Sequence, residues 1–151
     1  MTNISIDQIK KLREETRASL ADCRKAIEES NGDYGKAIEW LKKRGAEIAE
    51  KKAGRETKAG IVDTYIHHTL TSGATVALTC ETDFVARTSE FKNLAHEIAQ
   101  QITATNPDSI QTLLDSPWIR DEEKSISDLI NETIAKLGEN IEVKEFKRFE
   151  T

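Results

Sequence analysis

The spacing of apolar residues changes once along this 151-residue chain, from the three-to-four period of a helix to the two-residue period of a strand. That change implies helices packed together first, then a sheet. Ser5 is placed to cap a helix through Ile6, Ile9 and Leu12, a pattern that ends at Thr16. Leu20, Cys23, Ala26 and Ile27 trace a second helix that stops at the Ser30-Asn31-Gly32 turn. After Asp33, a third carries Ala37, Ile38, Leu41, Gly45 and Ile48 on one side. These stripes read as core packing.

From Glu47 to Ala59 the chain is polar and lacks a large apolar residue after Ile48, which predicts a solvated helix end and a linker. The expected division is therefore a helical domain over residues 1–55 and a second domain over residues 56–151. Ile61 to Leu70 is rich in β-branched and aromatic residues, and Ala74 to Cys80 alternates Val76, Leu78 and Cys80, so the two predict a hairpin turning at Thr71-Ser72-Gly73. Phe91, Leu94, Ala95, Ile98 and Ile102 then recur at helical spacing up to Asn106-Pro107. After a connector holding Pro117 and Trp118, Ile126, Leu129, Ile130, Ile134 and Leu137 mark a helix closed by Gly138. A third strand follows from Ile141 to Phe149, its alternation broken near Phe146 as by a bulge. The fold class is α+β: a three-helix bundle, then a three-stranded antiparallel sheet packed with helices.

The formal net charge of −5 argues against a chain that coats nucleic acid. It conceals an asymmetry, because residues 1–60 carry 14 basic against 11 acidic side chains, and residues 61–151 carry 8 against 16. Lys42, Lys43, Arg44, Lys51, Lys52 and Arg55 form the most basic stretch, which reads first as a wet helix face and second as an RNA contact. Cys23 and Cys80 have no ligand-type spacing and read as reduced thiols. No run approaches the roughly 18 apolar residues that span a bilayer, so a cytoplasmic protein without membrane contact is expected.

Neither a catalytic nor a metal site emerges. His67 and His68, as neighbours on a strand, should point to opposite faces, and His96 reads as a surface residue. The seven glycines form no phosphate-binding loop, and no nucleophile–base set is visible, so no cofactor and no covalent catalysis are expected.

One segment resists a bland account. In CETDFVA, from Cys80 to Ala86, Thr82 can cap a short helix, Asp83 adds charge to its first turn, and Phe84 is a bulky residue in a chain with only 5% aromatics. Phe84 either packs inward or stands outward beside Asp83 as a binding anchor, and the residues alone leave both readings open.

CETDFVAR followed by FKNLAHEIAQQI resembles the signature of the elongation factor Ts family, in a short form with a single core half. IKKLREET with DCRKAIEESNGDYGKAIEWLKKRG resembles that family's N-terminal module, which is similar to ubiquitin-associated domains; GIVDTYIHH and IAKLGENIEVKEFKRFE resemble core elements. The resemblance implies a guanine-nucleotide exchange factor in translation elongation. Such a factor binds elongation factor Tu, GDP-bound or nucleotide-free, through Thr82, Asp83, Phe84 and Val85 beside the magnesium site, and through Arg13, Leu20 and Ala21 of the helical module. It also implies a homodimer that rebuilds a complete core. Where the family reads TGAGMMDC this chain reads TRASLADC, so Arg17 and Ser19 replace glycines and Ala21 replaces a methionine. Two other functions fit the residues: an adaptor binding peptides or ubiquitin through Leu20 and its neighbours, and an RNA-associated protein using the basic stretch.

Overall fold

The computed structural model describes residues 4–151. In chain order its elements are α1 (Ile6–Thr16), α2 (Leu20–Glu29), α3 (Tyr34–Lys52), β1 (Ala59–Ile66), β2 (Ser72–Cys80), α4 (Asp83–Ala86), α5 (Ser89–Thr105), α6 (Ile110–Asp115), β3 (Pro117–Trp118), β4 (Asp121–Ser125), α7 (Ile126–Leu137) and β5 (Ile141–Glu150).

The first three helices each begin on a side-chain oxygen that accepts a backbone N–H: Ser5 from Asp7, Ser19 from Asp22 and Asp33 from Lys36. Their apolar stripes meet in one small cluster of Leu12, Cys23, Ala26, Ile27, Ala37 and Leu41. α1 ends where Arg17 adopts the left-handed conformation (φ 57°) and donates its N–H to the Arg13 carbonyl at 2.8 Å. A residue with a Cβ is strained there by about 1 kcal/mol, which glycine avoids.

The helix end and linker expected from Glu47 are present, but the helix end is not fully solvated. α3 continues to Lys52, buries Ala49 and packs Ile48 against the second cluster. The cause is α7, which lies against it: a Cβ added at Gly45 would stand only 3.8 Å from the Asn131 carbonyl. Lys42 reaches across as well, donating to the Glu123 carbonyl at 2.9 Å and pairing with Asp128 at 3.2 Å.

β1, β2 and β5 form an antiparallel sheet in the order β1-β2-β5. Its inner face packs with α5 and α7 around Val76, Leu78, Phe91, Leu94, Ile98, Ile102, Ile126, Ile130 and Ile134. This is the α+β arrangement, helices preceding a three-stranded sheet. The opposite face of the sheet leaves Val62, Ile66 and Phe149 exposed.

Three details depart from the pattern reading. The hairpin turns earlier than Thr71-Ser72-Gly73: Leu70 donates to the His67 carbonyl, His67 donates to Ser72, both at 2.9 Å, and Leu70 takes φ 62°. Gly73 instead belongs to β2 opposite Ile66, where a Cβ would meet Ile66 Cδ1 and the Tyr65 carbonyl at 2.7 Å. The bulge in β5 falls at Lys144, since Leu78 pairs with Val143 while Ala77 pairs with Glu145, two residues before the predicted break. The connector holds α6 and the β3–β4 pair, which carry too little apolar alternation to be predicted. α7 runs as expected from a capping box of Ser125 and Asp128 to Gly138 (φ 77°). Among the described residues no helix is long and apolar enough to cross a membrane.

Candidate partner-binding site

The CETDFVA segment leaves the buried end of β2 at Cys80, whose thiol donates to the Thr82 carbonyl at 3.2 Å. Burial, with nearby Glu139, Asp83 and Glu81 adding to it, pushes the Cys80 thiol above its ordinary value and keeps it protonated. Cys23 is also free and buried, and burial raises it too. Thr82 caps α4, its hydroxyl oxygen accepting from the Val85 N–H at 3.4 Å. Six residues after Thr82, Thr88 caps α5, accepts from Phe91 at 3.2 Å and donates back to the Val85 carbonyl at 2.7 Å. The short helix is thus bounded by two caps.

Successive helical residues point about 100° apart, so one turn this short can bury one pair and present another. Val85 and Ala86 are buried in the core. Asp83 is exposed, and Phe84 is 83% exposed, the most exposed large hydrophobic side chain among the described residues. Of the two readings of Phe84, the outward one is realised. Leaving a phenylalanine in water forgoes about 1.5–3 kcal/mol of burial, which a partner's pocket could recover.

Behind this turn lies a set of polar contacts from distant sequence. The Glu139 carboxylate accepts from both the N–H and the hydroxyl of Thr82, at 2.9 and 2.7 Å. The Asn140 N–H donates to Glu81 at 2.8 Å, and the Asn140 amide donates to the Arg55 carbonyl at 2.9 Å. Arg55 pairs with Glu81 at 3.7 Å. Sequence pattern gave no sign of these partners, which lie far from Thr82 along the chain.

In the helical bundle Arg13 and Ala21 are exposed, and Leu20, the first residue of α2, is 53% exposed. Arg13 and Leu20 line one groove between the bundle and α7, together with Ile38, Leu41 and Ile48; Ala21 stands outside it. The basic stretch is partly neutralised, Lys42 by Asp128, Arg44 by Glu47 and Arg55 by Glu81.

The histidines behave differently from the strand argument. β1 ends at Ile66, so His67 and His68 lie in the turn with ring centroids 4.2 Å apart, and His67 Nδ1 meets the Tyr65 hydroxyl at 3.2 Å. His96 contacts Asp63 at 3.1 Å and the edge of Tyr65. No cluster of three or more potential metal ligands occurs among the described residues.

The structure thus joins a helical bundle to an α+β core and holds an aromatic side chain outward on an anchored turn. The family model described as Elongation factor TS matches residues 81–151. Curated relatives named Elongation factor Ts extend the likeness over nearly the whole chain. The Thermotoga maritima protein is 42% identical, with 97% of this chain and 96% of the relative covered. That of Rippkaea orientalis is 40% identical (99% and 78%), and that of Thermoanaerobacter pseudethanolicus 41% (97% and 94%). The chain belongs to the elongation factor Ts family, proteins of translation elongation. The alignments run over 190–195 positions, more than the 151 residues of this chain, so these relatives carry residues that it lacks.

Proposed function

We propose that this chain is a guanine-nucleotide exchange factor that binds elongation factor Tu and promotes GDP release. The observation that carries the proposal is Phe84, 83% exposed beside Asp83 on a turn whose neighbours are buried. Phe84 enters a pocket on the nucleotide-binding domain, and Asp83 disturbs the surroundings of the magnesium ion and phosphates. Thr82 and Val85 hold the turn. Residues 1–55 act as a separate docking module through Arg13, Leu20 and Ala21, and residues 56–151 form the core.

No covalent step is needed. A factor that weakens GDP binding is weakened by GDP to the same extent, with couplings of about 1–3 kcal/mol, so release accelerates while the overall exchange equilibrium stays put. The nucleotide-free complex is the tight one. The uncovered sheet face with Val62, Ile66 and Phe149 supports a homodimer in which two chains complete the core. The paired state of Lys42, Arg44 and Arg55 speaks against a role in binding RNA. The protein works in the cytoplasm, where its partner does.

The test is release of a fluorescent GDP analogue from preloaded elongation factor Tu after excess GDP is added. The chain should accelerate release, and Phe84→Ala should lose at least about tenfold of that acceleration, in line with a buried aromatic anchor, while melting as the wild type does. A folded wild-type chain that leaves release unchanged with its cognate partner refutes the proposal.

A further inference from the structure

Phe84 sits on a helix of four residues, too short to hold itself by its own hydrogen bonds. Something outside the helix has to set the direction in which it points. The chain supplies that from the end of α7. Gly138, at φ 77°, reverses the backbone so that Glu139 comes up beneath the start of α4. Both oxygens of Glu139 are then used on one residue, Oε1 by the Thr82 N–H (2.9 Å) and Oε2 by the Thr82 hydroxyl (2.7 Å). Hydrogen bonds to an ionised acceptor are the strong kind, and two to one residue fix orientation as well as distance.

The adjacent residue fastens Glu139 in turn. Asn140 is 3% exposed, its N–H donates to Glu81 Oε1 at 2.8 Å, and its amide donates to the Arg55 carbonyl at 2.9 Å. The two residues before Asp83 are thereby both held by the two residues after Gly138. With the hydroxyl hydrogen committed to Glu139, the lone pairs of Thr82 Oγ1 remain for the Val85 N–H. Asp83 and Phe84 themselves take no part in these side-chain contacts and remain free for a partner.

We infer that Glu139 is a positioning residue for the Asp83-Phe84 contact, acting by orienting Thr82 and never touching the partner's nucleotide. The inference rests on the exchange reading proposed above. Its consequence is that Glu139 matters only while Phe84 is present to be positioned.

The experiment is a double-mutant cycle in the GDP-release assay, with the maximal rate and the half-saturating concentration measured separately. Glu139→Ala should lower the maximal rate by about tenfold, the scale of a modest misplacement of a reacting group, and shift half-saturation much less. Glu139→Gln keeps an acceptor and a donor for Thr82 and should recover most of the rate. In the Phe84→Ala background, Glu139→Ala should add almost nothing. An equal loss in both backgrounds, or an undiminished rate in Glu139→Ala, overturns the inference. If Glu139→Ala does not fold, Glu139→Asp, whose shorter side chain cannot span both Thr82 donors, takes its place under the same criteria. Should Phe84→Ala itself release GDP at the wild-type rate, the exchange reading fails and takes the inference with it. If Phe84→Ala is impaired but Glu139→Ala is not, the positioning role alone is lost.

Discussion

The two surfaces assigned to partner contact are held in opposite ways. The α4 turn is short but tied to residues far along the chain, through Glu139 to Thr82 and Asn140 to Glu81, and its Val85 and Ala86 sit in the larger core. The α1–α2 turn, which carries Leu20 and Ala21, relies on local contacts: Arg17 to the Arg13 carbonyl, the Thr16 hydroxyl to the Leu12 carbonyl, and the Ser19 cap. Behind it is a cluster of six buried side chains, two of them alanines. Displacing Phe84 therefore requires breaking long-range structure, whereas the bundle surface can loosen with little effect on the core. For the exchange role proposed above, a rigid wedge and a more yielding dock would suit a factor that must first find its partner and then act at one point on it.

The difference can be broken most severely in the bundle. Leu12 is fully buried there, so Leu12→Ala should cost about 2–5 kcal/mol. Trp40 packs against the bundle cluster and Trp118 against the core, which gives each region its own fluorescent reporter. In single-tryptophan versions, Leu12→Ala should lower the unfolding midpoint read by Trp40 much more than that read by Trp118. Equal shifts would mean that the regions unfold as one.

Asp128 links the regions, through its capping box with Ser125 and its pairing with Lys42. Burial pushes its carboxyl upward, but the Ser125 N–H and Lys42 outweigh burial and hold it below the ordinary value. A depressed value in the folded state means the stabilisation is present above the normal carboxylate range and lost as pH falls through the folded value. Asp128→Asn should thus lower stability at neutral pH, a difference that shrinks in denaturant titrations repeated at acidic pH. A cost that stays constant with pH would assign it to packing alone.

The smallest effect should be a gain. Arg17 is exposed and left-handed, and Arg17→Gly relieves backbone strain at a position where the family favours glycine, so stability read by Trp40 should rise by about 0.5–1 kcal/mol. A loss would show that the Arg17 side chain has a stabilising role of its own.

Much of this was legible in the residues. The caps Ser5 and Thr82, the start of α3 after Asp33, the stripes of α1 to α3, the inner residues of β2 and α5, and the stop at Gly138 all follow from spacing and local hydrogen bonding. Ile48 was placed on the apolar stripe of α3, but the burial of Ala49 was not legible, since only α7, distant in sequence, makes that side of α3 an inner face. The hairpin turn was misplaced because Leu70 occupies a conformation that composition assigns to glycine. β4 is built from Asp121, Glu122, Glu123, Lys124 and Ser125, residues without strand character of their own. At the site, Asp83 and Phe84 stood out by type and position, but their exposure needed Val85 and Ala86 to be buried instead. The Glu139 contact joins positions 57 residues apart by two hydrogen bonds, which no periodicity can register.

The division between wedge and dock is tested most directly by titrating wild type, Phe84→Ala and Leu20→Ala against elongation factor Tu loaded with a fluorescent GDP analogue. Phe84→Ala should lower the maximal release rate with a smaller change in half-saturation, and Leu20→Ala should raise the half-saturating concentration with the maximal rate kept. A Phe84→Ala chain that reaches the wild-type maximal rate would contradict the account.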